Sequence, residues 1–295
     1  MSLKRELESP RSPIRRFLDE QLPYTAGVLD PWQKALRGVK PQLPGEDPAG
    51  EPTPHAILGH AITARIGWDF APADRPGTRA GGLALVAEGA SATMVDELVT
   101  RLSGPLPQHP YDAARLSWFA GLLDRAHRSG RWDEPAYQPI LTAETVDELL
   151  LQVPAHWAAD IVAVERKAER ALSPLANEEG AAALVGASLA GSVQVDGAEA
   201  DLLLAGTVVD LKVTATTKTR LRDLHQVLAL ALLDFDDEHS VTHVALAPVR
   251  FGLLVRWDLS ELVVHMAGRA VELAQLRSDL RDRLASSAAP ATPAD

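Results

Sequence analysis

The stretch GAEADLLLAGTVVDLKVTA, Gly197 to Ala215, carries the reading of the fold. Two apolar runs, Ala200–Leu204 and Thr207–Val213, flank Ala205 and Gly206, which suit the two-residue turn of a tight β-hairpin. Such a turn sets Leu204 opposite Thr207, and counting outward places Asp201 opposite Asp210 and Glu199 opposite Lys212. Side chains alternate along a strand, so these four share the face that also carries Leu203 and Val208. Two facing aspartates on a half-apolar face repel each other and gain nothing as packing. A divalent cation between them reverses that sign, and Lys212 then stands beside the same spot. The simpler role for Glu199 is an ion pair that holds Lys212.

Before the hairpin, Pro154 to about Leu172 reads as a helix with Trp157, Ile161, Val164, Ala168 and Leu172 on one face. Glycine, alanine and valine dominate after Glu179, and a first strand is predicted at Ser192–Val195. After the hairpin the pattern predicts a helix over 219–235, strands at Val241–Ala247 and Leu253–Trp257, and one long amphipathic helix. Ser260 is the predicted N-cap of that helix, and Leu262, Met266, Ala270, Leu273, Leu276 and Leu280 form its stripe.

The chain therefore divides into four parts. Residues 1–54 hold nine of the 21 prolines and read as an irregular arm with a short helix through Ile14, Phe17 and Leu18, started by Ser12 and Pro13. Residues 55–153 have helical spacing (Ile57, Ile62 and Ile66; Met94, Leu98 and Leu102; Ala114, Trp118 and Leu122) and read as a helical region packing on the core. Residues 154–285 form the α/β core with its C-terminal helix, and 286–295 a disordered tail rich in alanine and proline.

Composition narrows the chemistry. There is no cysteine, which removes thiol nucleophiles, disulfides, cysteine-ligated zinc and iron–sulfur clusters, so any metal here is held by oxygen or imidazole. His55 and His60 lack the i, i+4 spacing of a zinc pair, and neither HExxH nor the Gx4GK[ST] phosphate loop occurs. The net charge of −11 argues against coating nucleic acid by bulk attraction, yet a local basic rim suffices to guide a phosphate backbone. The basic residues Lys218, Arg220 and Arg222, which follow the second strand, either form such a rim or are a solvated helix start. His225, alone among leucines, reads as a core residue. No apolar run reaches the roughly 18 residues of a membrane span, and the start lacks a secretory segment, so the expectation is a cytoplasmic protein with no membrane contact.

The segment 197–215 resembles the PD-(D/E)xK nuclease superfamily, its RecB-like branch in particular: Asp201 matches the lone motif Asp, and Asp210-Leu211-Lys212 the (D/E)xK element. The resemblance covers roughly residues 154–258 and implies an αβββαβ core whose mixed sheet is flanked by helices. It implies further that Asp201 and Asp210 hold Mg2+ or Mn2+, that Lys212 orients or activates the attacking water, and that a Glu of the first core helix, here Glu165, joins the metal. Gln226 of the second core helix matches the branch's Gln and would support the site, but the Tyr expected four residues later is Leu230. The implied activity is metal-dependent cleavage of phosphodiester bonds, with DNA the first choice of substrate and RNA served equally by the same residues. The alternative is a noncatalytic module that keeps the nuclease fold and binds nucleic acid, a protein partner or a second copy of itself.

Overall fold

The computed structural model describes residues 3–45, 55–71, 89–129, 137–195 and 197–288. Its centre is a five-stranded mixed sheet in the order β1-β2-β3-β4-β5, made of Ala183–Ser188, Glu199–Leu204, Thr207–Leu211, His243–Ala247 and Val255–Asp258. The first three strands form an antiparallel meander. β4 runs parallel to β3 and β5 antiparallel to β4. A parallel pair needs a crossover, and a helix at Leu221–Leu232 supplies it.

Alternation along the strands gives the sheet two apolar faces. Leu202, Leu204, Val209, Leu211, Ala245 and Ala247 look toward one layer. That layer holds α4 (His55–Phe70), α5 (Ala92–Ser103), α6 (Pro110–Ser129), α7 (Gln138–Thr142), α8 (Val146–Leu151) and α9 (Ala155–Ala176). Leu203, Val208, Val244 and Leu246 look the other way. There they meet the arm helices α1 (Leu3–Glu8), α2 (Pro13–Gln21) and α3 (Asp30–Leu36), the crossover helix α10 (Leu221–Leu232), α11 (Leu259–Ala267) and α12 (Leu273–Ala288). No helix among the described residues is long and apolar enough to cross a membrane.

The hairpin turn forms as its sequence predicts. Ala205 and Gly206 both have positive φ, 47° and 65°, as a two-residue turn matched to strand twist requires. Glycine is needed at 206 twice over, since a Cβ there would also lie 3.0 Å from the Ser240 carbonyl oxygen. Ser12 caps α2 by accepting from the Arg15 amide, and Ile14, Phe17 and Leu18 are buried as the spacing predicts.

Other predictions are corrected. Ser192–Val195 is a 3-10 turn, its Ser192 hydroxyl accepting from the Leu189 amide, and the first strand lies earlier at Ala183–Ser188. The second hairpin strand ends at Leu211 instead of Val213, although the Lys212 amide still donates to the Ala247 carbonyl. The helix and strand predicted at 219–235 and 241–247 are shorter, and the strand predicted at 253–257 is displaced to Val255–Asp258. The single long helix is two helices: Asp258, not Ser260, is the N-cap, and Gly268 in the left-handed conformation ends α11, leaving Ala270 exposed between them. Helix α12 runs on to Ala288, so the start of the predicted tail is helical, and 289–295 lie outside the described residues. The arm is not irregular throughout but carries three helices; its prolines 48, 52 and 54 lie outside the described residues.

Candidate functional site

β1, β3 and β4 run parallel, so their carboxyl ends open on one edge of the sheet, where ligands of α/β proteins commonly bind. Asp210 stands next to last on β3, and Asp201 lies near the start of antiparallel β2, so both belong to this edge. The ladder pairs Leu202 with Val209 and Leu203 with Val208, the register that sets Asp201 against Asp210. In place of a further rung, Asp201 Oδ2 accepts the Leu211 amide at 2.9 Å.

Asp210 is buried, 6% exposed, and burial pushes its carboxyl up to about 7. The neighbouring Asp201 carboxyl, in hydrogen-bond contact, adds to the rise, and Lys212 works against it. Lys212 Nζ lies 2.6 Å from Asp210 Oδ2, yet the approach is off the hydrogen-bonding direction, and among the described residues this buried oxygen makes no hydrogen bond. The two observations differ because charge attraction is undirected. We read the contact as a true ion pair on an oxygen whose bonding capacity is unspent.

A residue the sequence reading passed over completes the group. Asp223, in the first turn of α10, receives Lys212 Nζ at 3.3 Å, the Thr219 hydroxyl at 3.0 Å and the Arg220 amide at 2.8 Å. Burial alone would raise its carboxyl, but the Arg220 amide and the Lys212 charge outweigh this and hold it below the usual range. An acidic residue in a helix's first turn, behind a basic run, was the available signal. Lys212 is thus ion-paired to Asp210 and Asp223; the pairing with Glu199 expected from the register is not among its ion pairs. Burial would depress Lys212, but Asp210 and then Asp223 outweigh it and the ammonium is stabilised.

Glu165 is not brought to this group. It lies on α9, whose apolar face packs on the opposite side of the sheet, and its carboxylate is bound by Arg65 of α4 at 2.6 Å. Burial raises its carboxyl to about 7, with the hydrogen-bonded Asp69 contributing and Arg65 opposing. The inward stripe did predict that Glu165 faces the core. What waits there is the guanidinium of Arg65, which also binds Asp69. Gln226 lies one turn beyond Asp223 on α10, half-buried, and among the described residues its side chain makes no hydrogen bond. Leu230, where the resemblance expects Tyr, is a core residue at 2% exposure.

Of the remaining candidates, His225 is buried and its ring nitrogens have no hydrogen-bond partner among the described residues; burial, then the facing Arg15, push it down to about 4. His60 pairs with Asp124 at 2.9 Å. Among the described residues no cluster of three or more His, Asp or Glu side chains has the geometry of a complete metal cage. Magnesium does not require one, since one or two carboxylates with waters and phosphate oxygens complete its octahedron. The facing Asp201 and Asp210, with an unspent oxygen on the latter, fit that partial donor set.

Comparison with known proteins adds no family: no protein-family model, no curated protein and no solved structure matches this chain.

Proposed function

We propose that this chain is a Mg2+- or Mn2+-dependent nuclease of the PD-(D/E)xK type, with DNA as substrate. The observation that carries the reading is Asp201 and Asp210 in register across one hairpin, with Lys212 Nζ 2.6 Å from Asp210, at the carboxyl edge of the sheet. The element order α9-β1-β2-β3-α10-β4 supports it, being the αβββαβ order that the resemblance implies.

Asp201 and Asp210 would hold the cation, which when bound supplies Lewis acidity and a water of lowered pKa. Asp201 can do so while one of its oxygens stays fixed to the Leu211 amide, which orients the carboxylate. Lys212 keeps its proton under the pull of three carboxylates, so its role is to place positive charge beside the charge that builds on a phosphate, or to orient the attacking water through a donated hydrogen bond. Asp223 restrains that ammonium from the far side.

A noncatalytic nuclease-fold module is the second reading. The diversion of Glu165 to Arg65 favours it, because that leaves two carboxylates where three were expected. Incubation with linear and circular DNA, single- and double-stranded, and with RNA, under Mg2+, Mn2+ or EDTA, separates the two. Metal-dependent cleavage that vanishes in Asp210→Asn supports the nuclease. Binding without cleavage under every metal, or cleavage that Asp210→Asn retains, rejects it.

A further inference from the structure

The arm lies outside the region of family resemblance, yet it is pinned beside the candidate site. Trp32 Nε1 donates to the Thr217 carbonyl at 2.9 Å. Ten residues on, the Gln42 amide donates to the Arg250 carbonyl at 2.7 Å, and Arg250 returns a bond to the Gln42 carbonyl at 3.1 Å. Arg250 Nε in turn donates to the Val213 carbonyl at 2.6 Å. Both ends of the strap 32–42 are therefore tied, directly or through Arg250, to the loop 213–217 that leaves Lys212.

Charge along these two segments is one-sided. Residues 31–45 contain Lys34, Arg37 and Lys40 and no acid; residues 211–222 contain Lys212, Lys218, Arg220 and Arg222 and no acid, in a chain of net charge −11. Arg15, Arg101, Arg256, Arg281 and Arg283 each have an acidic partner, and within the basic loop Lys212 and Arg222 do too. Lys34, Arg37, Lys40, Lys218 and Arg220 are exposed and, among the described residues, make no ion pair. Exposed cations without an ion pair among the described residues occur elsewhere too, Lys4, Arg5, Arg11, Arg166 and Arg170 among them, so what marks this edge is that five of them lie on two segments tied together. Unpaired cations held together at one edge of an acidic protein repel one another unless an anion spans them.

Resting on the reading of the edge as a nuclease site, we infer that the strap and the loop form one phosphate-tracking surface, which seats the DNA backbone and leads it to Asp201 and Asp210. The contacts are to phosphates, so binding is set by charge and not by base sequence. The partner is a phosphodiester backbone, since it carries a charge at every repeat and can meet cations on both linked segments at once.

The test measures binding of one fluorescently labelled DNA, single-stranded or as a duplex, in EDTA over a series of salt concentrations. Wild type is compared with Lys34→Ala/Arg37→Ala/Lys40→Ala, with Lys218→Ala/Arg220→Ala, and with Arg16→Ala/Arg283→Ala as a control on the arm–α12 side. Each lost phosphate contact lowers the slope of log K against log salt by about 0.9 on duplex DNA. The triple variant should lose roughly three such steps and the double variant roughly two, with the control unchanged. All rim substitutions are on exposed side chains, the control's Arg283 is half-buried, and far-ultraviolet circular dichroism confirms the fold. Equal slopes and affinities in wild type and both rim variants overturn the inference, as does wild type failing to bind in EDTA. Cleavage assayed separately keeps the two readings apart: a protein that cleaves with an indifferent rim loses only the rim, and a rim-dependent binder that never cleaves loses only the nuclease.

Discussion

Replacing Asp210 by asparagine should stabilise the metal-free protein at neutral and alkaline pH while abolishing its proposed activity. Asp210 titrates near 7 where an ordinary Asp titrates at 3.8. Each pH unit of that gap is worth about 1.4 kcal/mol, so the ionised carboxylate costs the fold roughly 4 kcal/mol relative to its neutral form. The sign follows from proton counting. Between about pH 4 and 7 the unfolded chain has lost this proton and the folded chain keeps it, so stability falls as pH rises through that window and the full cost stands above it. The asparagine side chain mimics the neutral acid at every pH, keeping the shape and removing the cost. Urea unfolding in EDTA at pH 5 and pH 8 reads the effect: the variant and wild type should differ by only about 2 kcal/mol at pH 5, whereas at pH 8 the variant should be the more stable by up to roughly 4 kcal/mol. A variant less stable than wild type at pH 8, or an equal gap at both pH values, would refute the argument that Asp210 is held against its own electrostatics.

Lys212→Ala should leave Mn2+ affinity unchanged or slightly higher by calorimetry, because it removes a cation beside the ligands, while cleavage falls about a hundredfold or more; cleavage at the wild-type rate would remove Lys212 from the mechanism. Arg250→Met strands Asp160, 1% exposed and bound by two bonds of 2.8 and 2.7 Å, and should cost about 3–5 kcal/mol in urea unfolding, most of it recovered in Asp160→Leu/Arg250→Met. His225 titrates near 4 in the fold instead of 6.5, so below pH 6.5 the unfolded chain gains a proton the fold refuses and stability is lost as pH falls; His225→Leu should raise stability more at pH 5 than at pH 8, measured by thermal unfolding.

The hairpin was legible because a two-residue turn leaves one register, and a slip of one residue would have sent Asp201 and Asp210 to opposite faces. The first strand was not legible. Ala183–Ser188 is an edge strand of small residues with Gly186 at φ 61° and no clean alternation, while Ser192–Val195 imitates a strand through its Val-Gln-Val spacing. The single C-terminal helix failed on Gly268, a stop signal masked by an apolar stripe that runs on at helical spacing beyond it. Glu165 failed for a different reason. Periodicity tells which side of a helix faces inward, and nothing in α9 itself announces that Arg65, a hundred residues earlier, will be there to receive it. A lone arginine among Ile57, Ile62 and Ile66 of an apolar helix was the sign that some buried carboxylate had to meet it.

Two of the carboxyl pairs among the described residues, Asp69 with Glu165 and Asp201 with Asp210, are in hydrogen-bond contact within the pair, and the fold treats them differently. Asp69 and Glu165 share the guanidinium of Arg65, which is 8% exposed and binds one carboxylate with each terminal nitrogen. With both carboxyls ionised this group carries a charge of about −1, which the Glu165 carboxyl, raised by burial to about 7, relieves by holding a proton, while the guanidinium occupies the space between the two. Asp201 and Asp210 have instead a lysine that is divided with Asp223, and Asp210 keeps one buried oxygen without a hydrogen bond among the described residues. With Asp201, Asp210 and Asp223 ionised around Lys212, the cluster would carry a charge of about −2, which a poorly solvated site resists. Protonating Asp210 lowers that cost, and a divalent cation would remove it. A cation entering here therefore displaces the Asp210 proton, and calorimetry in two buffers of different ionisation enthalpy at pH 6 should register close to one proton released per Mn2+ bound, a release that Asp210→Asn abolishes. No such release is expected from Asp69 and Glu165, because Arg65 already stands where a cation would bind.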